Sequence, residues 1–240
     1  MSTRQATTSD GPMDFLDDFD GPAGAPPSPE TWTTELGGGG WGDEQLQTYT
    51  RENARLTGDG CLAITARSDR TSARLTTKGR VTARYGRVEA RIKVPAGRGV
   101  WPAFWMLGAD IDACGWPACG EIDVMEVVGS EPRTVHATVH CPGHAGVGGG
   151  IGSAHTLGRD LAEDFHVYGV DWAPDGITWR LDDVAYRTLA RADVPTWAFD
   201  GDMFLLVNLA LGGRWPGNDL DATSLPATML VDWVRVLSRT

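Results

Sequence analysis

Apolar and polar residues alternate along many short segments of this chain, as they do in β-strands that bury one face. The alternation is clearest in residues 62–66, 87–94, 134–140, 165–172 and 176–181. Turn-forming stretches such as residues 173–176 separate the segments, at spacings of roughly 8–12 residues. No segment keeps a helical period over three turns, and residues 195–199 are expected to form at most one short helical turn. The pattern therefore predicts an all-β sandwich.

One predicted strand, residues 101–107, is apolar on both faces. Trp101 and Trp105 share one face, while Phe104 and Met106 share the other. Such a strand is expected at the centre of a sheet, covered on both sides. From the pattern alone, the two tryptophans could belong either to the core or to a binding surface.

A second apolar strand, residues 204–210, is interrupted by Asn208. A buried amide is costly unless it is hydrogen-bonded, and a position in a cleft would supply partners. The last strand, residues 229–237, is expected to pack beside the first, residues 15–21. Residues 143–152 are rich in glycine and are expected to form a mobile loop next to a cleft.

Composition and charge narrow the classes of function. The chain has 240 residues, with 31 glycines and 10 tryptophans, which suits one turn-rich domain over residues 13–240 after a disordered polar tail of residues 1–12. The net charge of −11 disfavours nucleic acids and anionic membranes as partners. No run approaches the roughly 18 apolar residues of a membrane span. Residues 37–42 are glycine-rich but lack the lysine and hydroxyl residue of a phosphate loop, which argues against a nucleotide site.

The four cysteines are too few and too scattered for a disulfide framework. Cys114 and Cys119 could pair across a short loop, or both could remain thiols. The five histidines have no zinc-like spacing relative to the cysteines, so we predict no zinc site.

The candidate chemistry lies in residues 120–126, where Glu121, Asp123 and Glu126 fall within one predicted strand. A structural strand rarely carries three acids, because like charges on one face repel and resist burial. An exposed acidic strand is the alternative interpretation. Two carboxyl groups across a gap of about 5–5.5 Å would instead suit a retaining glycoside hydrolase.

Strand geometry makes this second interpretation testable. Side chains alternate, so regular pairing would place Glu121 and Asp123 on one face and turn Glu126 to the other. A single β-bulge at Val124 and Met125 would return Glu126 to the acidic face. The sequence therefore predicts a bulge there, with Met125 buried on the opposite face.

Residues 116–129, which contain this strand, resemble the signature of glycoside hydrolase family 16, in the bulged form of the laminarinase-type endo-β-1,3-glucanases. Further segments resemble the same family in the same order, namely residues 37–42, 71–79, 101–108, 164–168, 208–213 and 231–236. The resemblance covers nearly everything from about residue 13 to the end. It implies a β-jelly roll of two antiparallel sheets, with a long substrate cleft on the concave face.

The resemblance also implies roles for individual residues. It makes Glu121 the nucleophile and Glu126 the general acid/base of a retaining mechanism, with Asp123 hydrogen-bonded to the nucleophile. The residue types alone do not distinguish the two glutamates, because the chemistry requires only that one pKa be raised above the other. The expected substrate contacts are Trp41, Arg74, Trp101, Trp105, Trp116, His140 and Asn208.

Two departures from the family pattern affect these expectations. Asp43 and Glu44 stand where many relatives have two asparagines, so amide donors to a sugar are lost there. Asp18 and Asp232 resemble a structural calcium site of many relatives, although Asp18 stands where glutamate is common. Two carboxylates with backbone carbonyls suit Ca²⁺, and two surface acids on adjacent strands are the alternative.

The combined expectation is a monomeric endo-β-1,3-glucanase that hydrolyses laminarin-like β-glucans without a catalytic cofactor. A mixed-linkage β-1,3-1,4-glucanase or a transglycosylase would use the same two acids, whereas non-catalytic β-glucan-binding proteins of this fold lose them. The first ten residues contain no apolar core of a signal peptide. Because polymer-degrading enzymes act outside the cell, we expect an extracellular protein whose leader has been removed.

Overall fold

The computed structural model describes residues 13–238, in which strands are the main elements. The strands are β1 (Met13–Asp17), β2 (Thr33–Thr34), β3 (Thr48–Tyr49), β4 (Ala54–Leu56), β5 (Leu62–Ala66), β6 (Thr71–Ser72), β7 (Arg74–Thr76), β8 (Thr82–Ala83), β9 (Gly86–Lys93), β10 (Val100–Gly108), β11 (Glu121–Glu126), β12 (Thr134–His140), β13 (Ile151–Thr156), β14 (His166–Ala173), β15 (Gly176–Leu181), β16 (Val184–Ala190), β17 (Met203–Leu211) and β18 (Ala227–Leu237). The helical turns are α1 (Trp41–Glu44), α2 (Ile111–Cys114) and the 3₁₀ turns Arg51–Asn53, Arg191–Asp193 and Ala222–Ser224. Within residues 13–238, no helix has the length and apolarity needed to cross a membrane.

Two large antiparallel sheets form a jelly-roll sandwich. The first, called the cleft sheet below, has the strand order β13-β12-β11-β10-β17-β7-β2, with β8 also paired to β17. The second, called the outer sheet, has the order β16-β15-β14-β9-β18-β5-β4, with β1 also paired to β18. A small third sheet joins β3 and β6 in parallel. The predicted sandwich and the pairing of the last strand with the first are confirmed.

The core lies between the two sheets, where alternate side chains of each strand are buried. Phe104 and Met106 of β10 point into it and are fully buried. β10 lies between β11 and β17 and pairs with β17 along its whole length, so it is the central strand that its two apolar faces predicted. Burial of each large apolar side chain contributes roughly 1.5–3 kcal/mol. The strand next to β11 is therefore anchored in the core by its buried side chains.

Most predicted strands are present, with ends shifted by a residue or two. The largest difference is in the first strand, which ends at Asp17 because Phe19 takes a left-handed backbone conformation, φ 52°, that a strand cannot continue. Residues 195–199 form no helical turn, and a 3₁₀ turn stands earlier, at Arg191–Asp193. The end of the glycine-rich segment 143–152 already belongs to β13, which has too few apolar residues to show alternation. The predicted disordered tail, residues 1–12, lies outside the described residues.

Cys114, Cys119 and Cys141 are free thiols. Cys119 is buried and Cys114 is exposed, so the disulfide that their spacing left open is not formed.

Trp179 ties the outer sheet to the strand that carries the three acids. Its indole is buried in the core, and its Nε1 donates a hydrogen bond of 2.8 Å to the main-chain oxygen of Asp123. Asp123 stands where β11 changes its register against both neighbouring strands. The bond therefore satisfies a buried carbonyl at the irregular point of the strand and holds that point against the core.

Replacing Trp179 with phenylalanine should lower both stability and activity. Phenylalanine keeps most of the apolar volume but leaves the Asp123 carbonyl without its donor, which should reduce the free energy of unfolding by about 1–3 kcal/mol. Trp172→Phe is the matched control, because Trp172 is equally buried and its Nε1 donates to Phe199 O, 3.0 Å away. Denaturant unfolding should show similar losses for the two variants. Assays of the glucan hydrolysis that the sequence leads us to expect should show a lower kcat for Trp179→Phe alone, and equal kcat values would contradict this role of Trp179.

Candidate active site

A β-bulge in β11 turns all three acids of that strand to one side. Asp123 and Glu126 are three residues apart on β11 but pair with residues two apart on β12, so β11 contains one extra residue. The same extra residue appears against β10. Val124 and Met125 are buried in the core, while Glu121, Asp123 and Glu126 line a cavity over the opposite face. The predicted bulge and the predicted burial of Met125 are confirmed.

The cavity has a volume of about 620 Å³ and lies over the cleft sheet, within the roughly 300–1,000 Å³ range of ligand sites. Four indoles line it, those of Trp101, Trp105, Trp116 and Trp215. Residues of the glycine-rich segment 146–150 also line it, next to His140. The cavity thus combines flat apolar surfaces with a small group of polar side chains, as sugar sites require.

Glu121 and Asp123 form one hydrogen-bonded group. Trp116 Nε1 donates to Glu121 Oε2 over 2.5 Å, and Asp123 is hydrogen-bonded to Glu121. His140 Nε2 lies 3.5 Å from Asp123 Oδ2, and burial lowers the pKa of His140, which favours its neutral form. Asp123 Oδ2 and His140 Nδ1 are buried and have no hydrogen-bond partner among the described residues. Such atoms leave bonding capacity for a bound ligand.

The three acids differ in their tendency to hold a proton. Burial raises the pKa of Asp123 well above its ordinary value, and the charges of Glu121 and Glu126 add to this effect. Burial also raises the pKa of Glu121, but the hydrogen bonds from Trp116 and Asp123 and the charge of Arg74 oppose the increase. A protonated Asp123 can therefore donate to an ionised Glu121, which is the arrangement that a nucleophilic carboxylate needs.

Glu126 keeps its proton at pH values well above the ordinary pKa of a glutamate. It is only 9% exposed, and burial, followed by the charge of Glu121, raises its pKa to about 8. Trp101 Nε1 donates to Glu126 Oε1 over 3.0 Å, which fixes the carboxyl group toward the cavity. A carboxyl group that is protonated at neutral pH can act as a general acid.

A second wall of the cavity is built around Trp105. Its Nε1 donates to Asn208 Oδ1 over 2.8 Å, so the buried amide finds its partner in a neighbouring side chain. The guanidinium of Arg74 lies 4.7 Å from the centre of the Trp105 ring and forms an ion pair with Glu35. These contacts hold the indole in one orientation, as a stacking surface requires.

The structure brings most of the predicted contact residues into this cavity. Those that line it are Arg74, Trp101, Trp105, Trp116, His140 and Asn208. Trp116 is 46% exposed and stands at the rim. Trp41 differs, because its ring packs against Tyr49, 6.1 Å between centroids, and over Gly37 rather than lining the cavity.

Trp215 and Asp43 are among the lining residues that the sequence-based prediction did not include as substrate contacts. Trp215 lies in the loop after β17 and packs edge to face against Trp101, with ring centroids 5.4 Å apart. Asp43 lies in α1 and lines the cavity beside it. The signal for Trp215 was a lone aromatic residue in a glycine-rich stretch, residues 212–217. The same signal predicted Trp41, because composition does not say which of two such tryptophan rings lines the cavity.

Comparison with known proteins identifies the family. The sequence profile described as Glycosyl hydrolases family 16 matches residues 42–235. The chain belongs to glycosyl hydrolase family 16. It is therefore a glycoside hydrolase by family, and its jelly-roll fold and acidic strand agree with that membership.

Several similar proteins align with almost the whole of this family 16 domain. The beta-glucanase of Rhodothermus marinus is 43% identical over 230 residues, which cover 88% of this chain and 80% of that protein. The structure of the endo-beta-1,3-glucanase of Pyrococcus furiosus matches with a TM-score of 0.88 at 45% identity, covering 94% of each chain. The laminarinase catalytic domain of Thermotoga maritima matches with a TM-score of 0.91 at 40% identity, covering 97% of this chain and all of that one.

The residues suggested for calcium lie in or next to the outer sheet of this family 16 domain, whereas the three acids of β11 belong to the cleft sheet. Asp232 lies in β18, is buried and forms an ion pair of 2.6 Å with Arg91. Asp18 directly follows β1, which pairs with β18, and is exposed. A calcium ion there would have to share Asp232 with Arg91 and take most of its six to eight oxygen ligands from the main chain or water. Among residues 13–238, the ligand atoms of three or more candidate metal ligands converge instead at Glu121, Asp123 and His140, within 4.8 Å of one another.

The raised pKa of Glu126 also predicts how stability depends on pH. Its folded-state pKa of about 8 lies above the unfolded value of 4.5, so ionising Glu126 destabilises the fold increasingly as the pH rises from 4.5 to 8. Glu126→Gln removes this cost and should raise the Tm at pH 8, but much less at pH 5.5. We expect the gain at pH 8 to exceed the gain at pH 5.5 by at least about 2 °C, which corresponds to roughly 1 kcal/mol in a domain of this size. Calorimetry at both pH values checks this, and equal gains would contradict it.

Proposed function

We propose that this family 16 protein is a retaining endo-β-1,3-glucanase. The observation that carries the proposal is the bulged strand β11, which places two glutamates with different hydrogen-bond partners in one indole-lined cavity. Glu121 is held by Trp116 and Asp123, while Glu126 is held by Trp101. Two carboxyl groups whose surroundings push their pKa values apart are what a double displacement uses.

In the first step, Glu121 attacks the anomeric carbon of the bound glucan. The bond between that carbon and the glycosidic oxygen breaks as Glu126 gives its proton to the departing oxygen. The products are a shortened glucan with a free hydroxyl and a glycosyl ester on Glu121. Asp123 supports this step by donating a hydrogen bond to Glu121, which keeps the nucleophile ionised.

In the second step, water replaces Glu121 at the same carbon. Glu126, now deprotonated, takes a proton from the water as the water oxygen bonds to the anomeric carbon and the ester bond breaks. This restores Glu121 as a carboxylate and Glu126 as an acid. Because both displacements invert the anomeric centre, the product keeps the β-configuration.

The walls of the cavity support binding of a neutral polysaccharide. Trp101, Trp105 and Trp116 present flat apolar rings to the cavity, and such rings pack well on the C–H faces of sugars. The buried and unpartnered Nδ1 of His140 offers a hydrogen-bonding site beside the acids. We assign the preference for β-1,3 linkages from the relatives in Pyrococcus furiosus and Thermotoga maritima, whose names state endo-β-1,3-glucanase and laminarinase activity.

Mixed-linkage hydrolysis is the second candidate function. The relative in Rhodothermus marinus is named a beta-glucanase without a stated linkage, and both activities use the same pair of acids. A non-catalytic glucan-binding role is disfavoured, because both glutamates are present and face the cavity.

The direct test is reducing-sugar release from laminarin, lichenan and carboxymethylcellulose in parallel, with Glu121→Gln as the inactive control. We expect faster cleavage of laminarin than of lichenan and no cleavage of the cellulose derivative. Cleavage of lichenan alone would replace the proposal with a mixed-linkage activity. Binding of laminarin without cleavage of any substrate would replace it with the binding function.

We also propose that residues 13–240 act as one monomeric catalytic domain outside the cell, with calcium bound near Asp18 and Asp232 as a stabilising ion. Size-exclusion chromatography tests the monomer, and calorimetry in calcium or in EDTA tests the ion. Asp18→Asn should remove any stabilisation by calcium. An identical Tm in calcium and EDTA would exclude a stabilising calcium site.

A further inference from the structure

Asp43 is an acid inside the cavity to which the two-step mechanism gives no role. It lies in α1, where Gly42 and Asp43 depart from helical backbone angles and direct the segment into the site. Asp43 is 8% exposed and lines the same cavity as the three acids of β11. A buried carboxylate in a binding site is retained at a desolvation cost, so its surroundings indicate what it does.

Main-chain hydrogen bonds hold Asp43 in place. The amide of Trp215 donates to Asp43 Oδ2 over 2.9 Å, and the amide of Arg214 donates to the Asp43 carbonyl over 2.9 Å. The next residue, Glu44, forms an ion pair with the side chain of Arg214. Two segments that are distant in sequence, α1 and residues 213–215, are thus fastened together with the carboxylate of Asp43 at their junction.

This junction packs against the indole that holds Glu126. Gly213 touches both sides, because a Cβ on it would lie 3.5 Å from Asp43 Oδ2 and 3.4 Å from the Trp101 ring. Trp101 in turn donates its Nε1 hydrogen to Glu126. A side chain on Gly213 would also be strained, since its φ is +118°. One indole, that of Trp101, therefore packs against the junction that holds Asp43 and also donates a hydrogen bond to Glu126.

The other charged groups around Glu126 leave Asp43 with a distinct role. On β11, Asp123 is neutral when its raised pKa keeps it protonated, and Glu121 is the charged neighbour. On β12, burial lowers the pKa of His136, which pairs with Glu131, and this favours the neutral ring. From residues 213–215, the exposed Arg214 is neutralised by Glu44. Burial is the largest cause that raises the pKa of Glu126, followed by the charge of Glu121 and then by the charge of Asp43.

The charge of Glu121 does not last through the cycle, because Glu121 becomes an uncharged ester in the glycosyl-enzyme. Asp43 takes no part in bond formation, so its charge persists through both steps. A negative charge near Glu126 makes it a poorer proton donor but a better base, and the second step needs the base.

Resting on the proposed function, we propose that Asp43 is a positioning residue for the reaction: a fixed carboxylate that keeps Glu126 protonated in the resting enzyme and basic in the glycosyl-enzyme. Asp43 thereby moves the alkaline limit of activity to a higher pH. Asp43, which stands where many relatives have an asparagine, thus brings a carboxylate to this rim of the site.

The test is the pH profile of kcat/KM for Asp43→Asn on laminari-oligosaccharides. The amide oxygen can still accept from the Trp215 amide, so the fold should be kept, and removal of the charge should move the alkaline limit down by roughly 0.5–1 pH unit. Asp202→Asn is the matched control: it makes the same change at a residue that is exposed and does not line the cavity. Its limit should stay within about 0.2 units of the wild type. Asp43→Glu keeps the charge and should keep the limit.

A second readout does not depend on activity. The gain in Tm at pH 8 from Glu126→Gln should be smaller in the Asp43→Asn background than in the wild type. Without the charge of Asp43, ionisation of Glu126 destabilises the fold less, so its removal gains less. An unchanged alkaline limit together with an unchanged gain in Tm would overturn the role of Asp43. A smaller gain in Tm in a protein that cleaves no glucan would support the role of Asp43 and refute the proposed function instead.

Discussion

Glu121→Gln should abolish glucan hydrolysis while leaving the fold and glucan binding unchanged. Glutamine has nearly the same shape and can still accept the hydrogen bond from Trp116, but its amide cannot form the glycosyl ester. We expect kcat on laminarin to fall by about 10⁴-fold or more, as when other covalent nucleophiles are removed. Binding of laminarin, measured by calorimetry, should change little because the indole surfaces remain in place.

A control variant is needed to show that the loss of hydrolysis comes from the missing nucleophile and not from the changed net charge of the protein. Glu30→Gln is a suitable control, because Glu30 is exposed in the loop before β2 and has no contact with the cavity lining. It should retain full activity. Glu121→Gln with substantial activity on laminarin would remove Glu121 from the role of nucleophile.

Glu126→Ala should produce a loss that depends on the leaving group. Without the acid, the glycosidic oxygen leaves unprotonated, so laminarin should be cleaved about 10²–10⁴-fold more slowly. An aryl β-laminaribioside with an acidic phenol has a leaving group that departs without protonation. The first step on this substrate should therefore proceed at nearly the wild-type rate. A burst of phenol followed by slow turnover should appear, because the glycosyl-enzyme then lacks its base. An equal loss on both substrates would contradict the role of Glu126 as acid.

Added azide distinguishes the two glutamates. In Glu126→Ala, azide can attack the glycosyl-enzyme from the face that the missing base leaves open, and the second inversion gives a β-glycosyl azide. In Glu121→Ala, azide replaces the nucleophile in one displacement and gives the α-anomer. Proton NMR of the azide products therefore reports which residue is which. The opposite pairing of variants and anomers would exchange the two assignments.

Local pattern predicts the parts of this fold that depend on alternation and turn chemistry. β5, β12 and β15 were predicted with the bounds that the structure shows, because each alternates cleanly between two strong turns. The bulge in β11 was also predictable, since three acids can share one face of that strand only if one residue is inserted. β13 was missed because its glycine, serine and alanine residues carry little hydrophobic contrast.

Long-range folding decides the parts of the site that local pattern does not specify. Trp41 and Trp215 occur in similar glycine-rich loops, but only the ring of Trp215 lines the cavity, where it packs on Trp101. The hydrogen bond between Trp105 and Asn208 joins β10 and β17, which are about 100 residues apart in sequence, as the separation of 103 shows. Partners of this kind depend on sheet order, and alternation within one strand carries no information about it.

The architecture also explains how a strand with three acids stays folded. Met125 and Val124 fill the core on the reverse side of β11, and Trp179 binds the carbonyl of Asp123 from the outer sheet. The apolar contacts and this hydrogen bond offset the cost of burying the acids on the other face. Stability of the core and reactivity of the cleft are thus linked through one short strand.

Proton NMR of the first products from a laminari-oligosaccharide tests the central claim most directly. Attack on the anomeric carbon by Glu121 and then by water should release the new reducing end as the β-anomer. The α-anomer should appear only later, by mutarotation. The time course in the first minutes is the measurement. Early appearance of the α-anomer would show a single displacement by water and would contradict a covalent intermediate on Glu121.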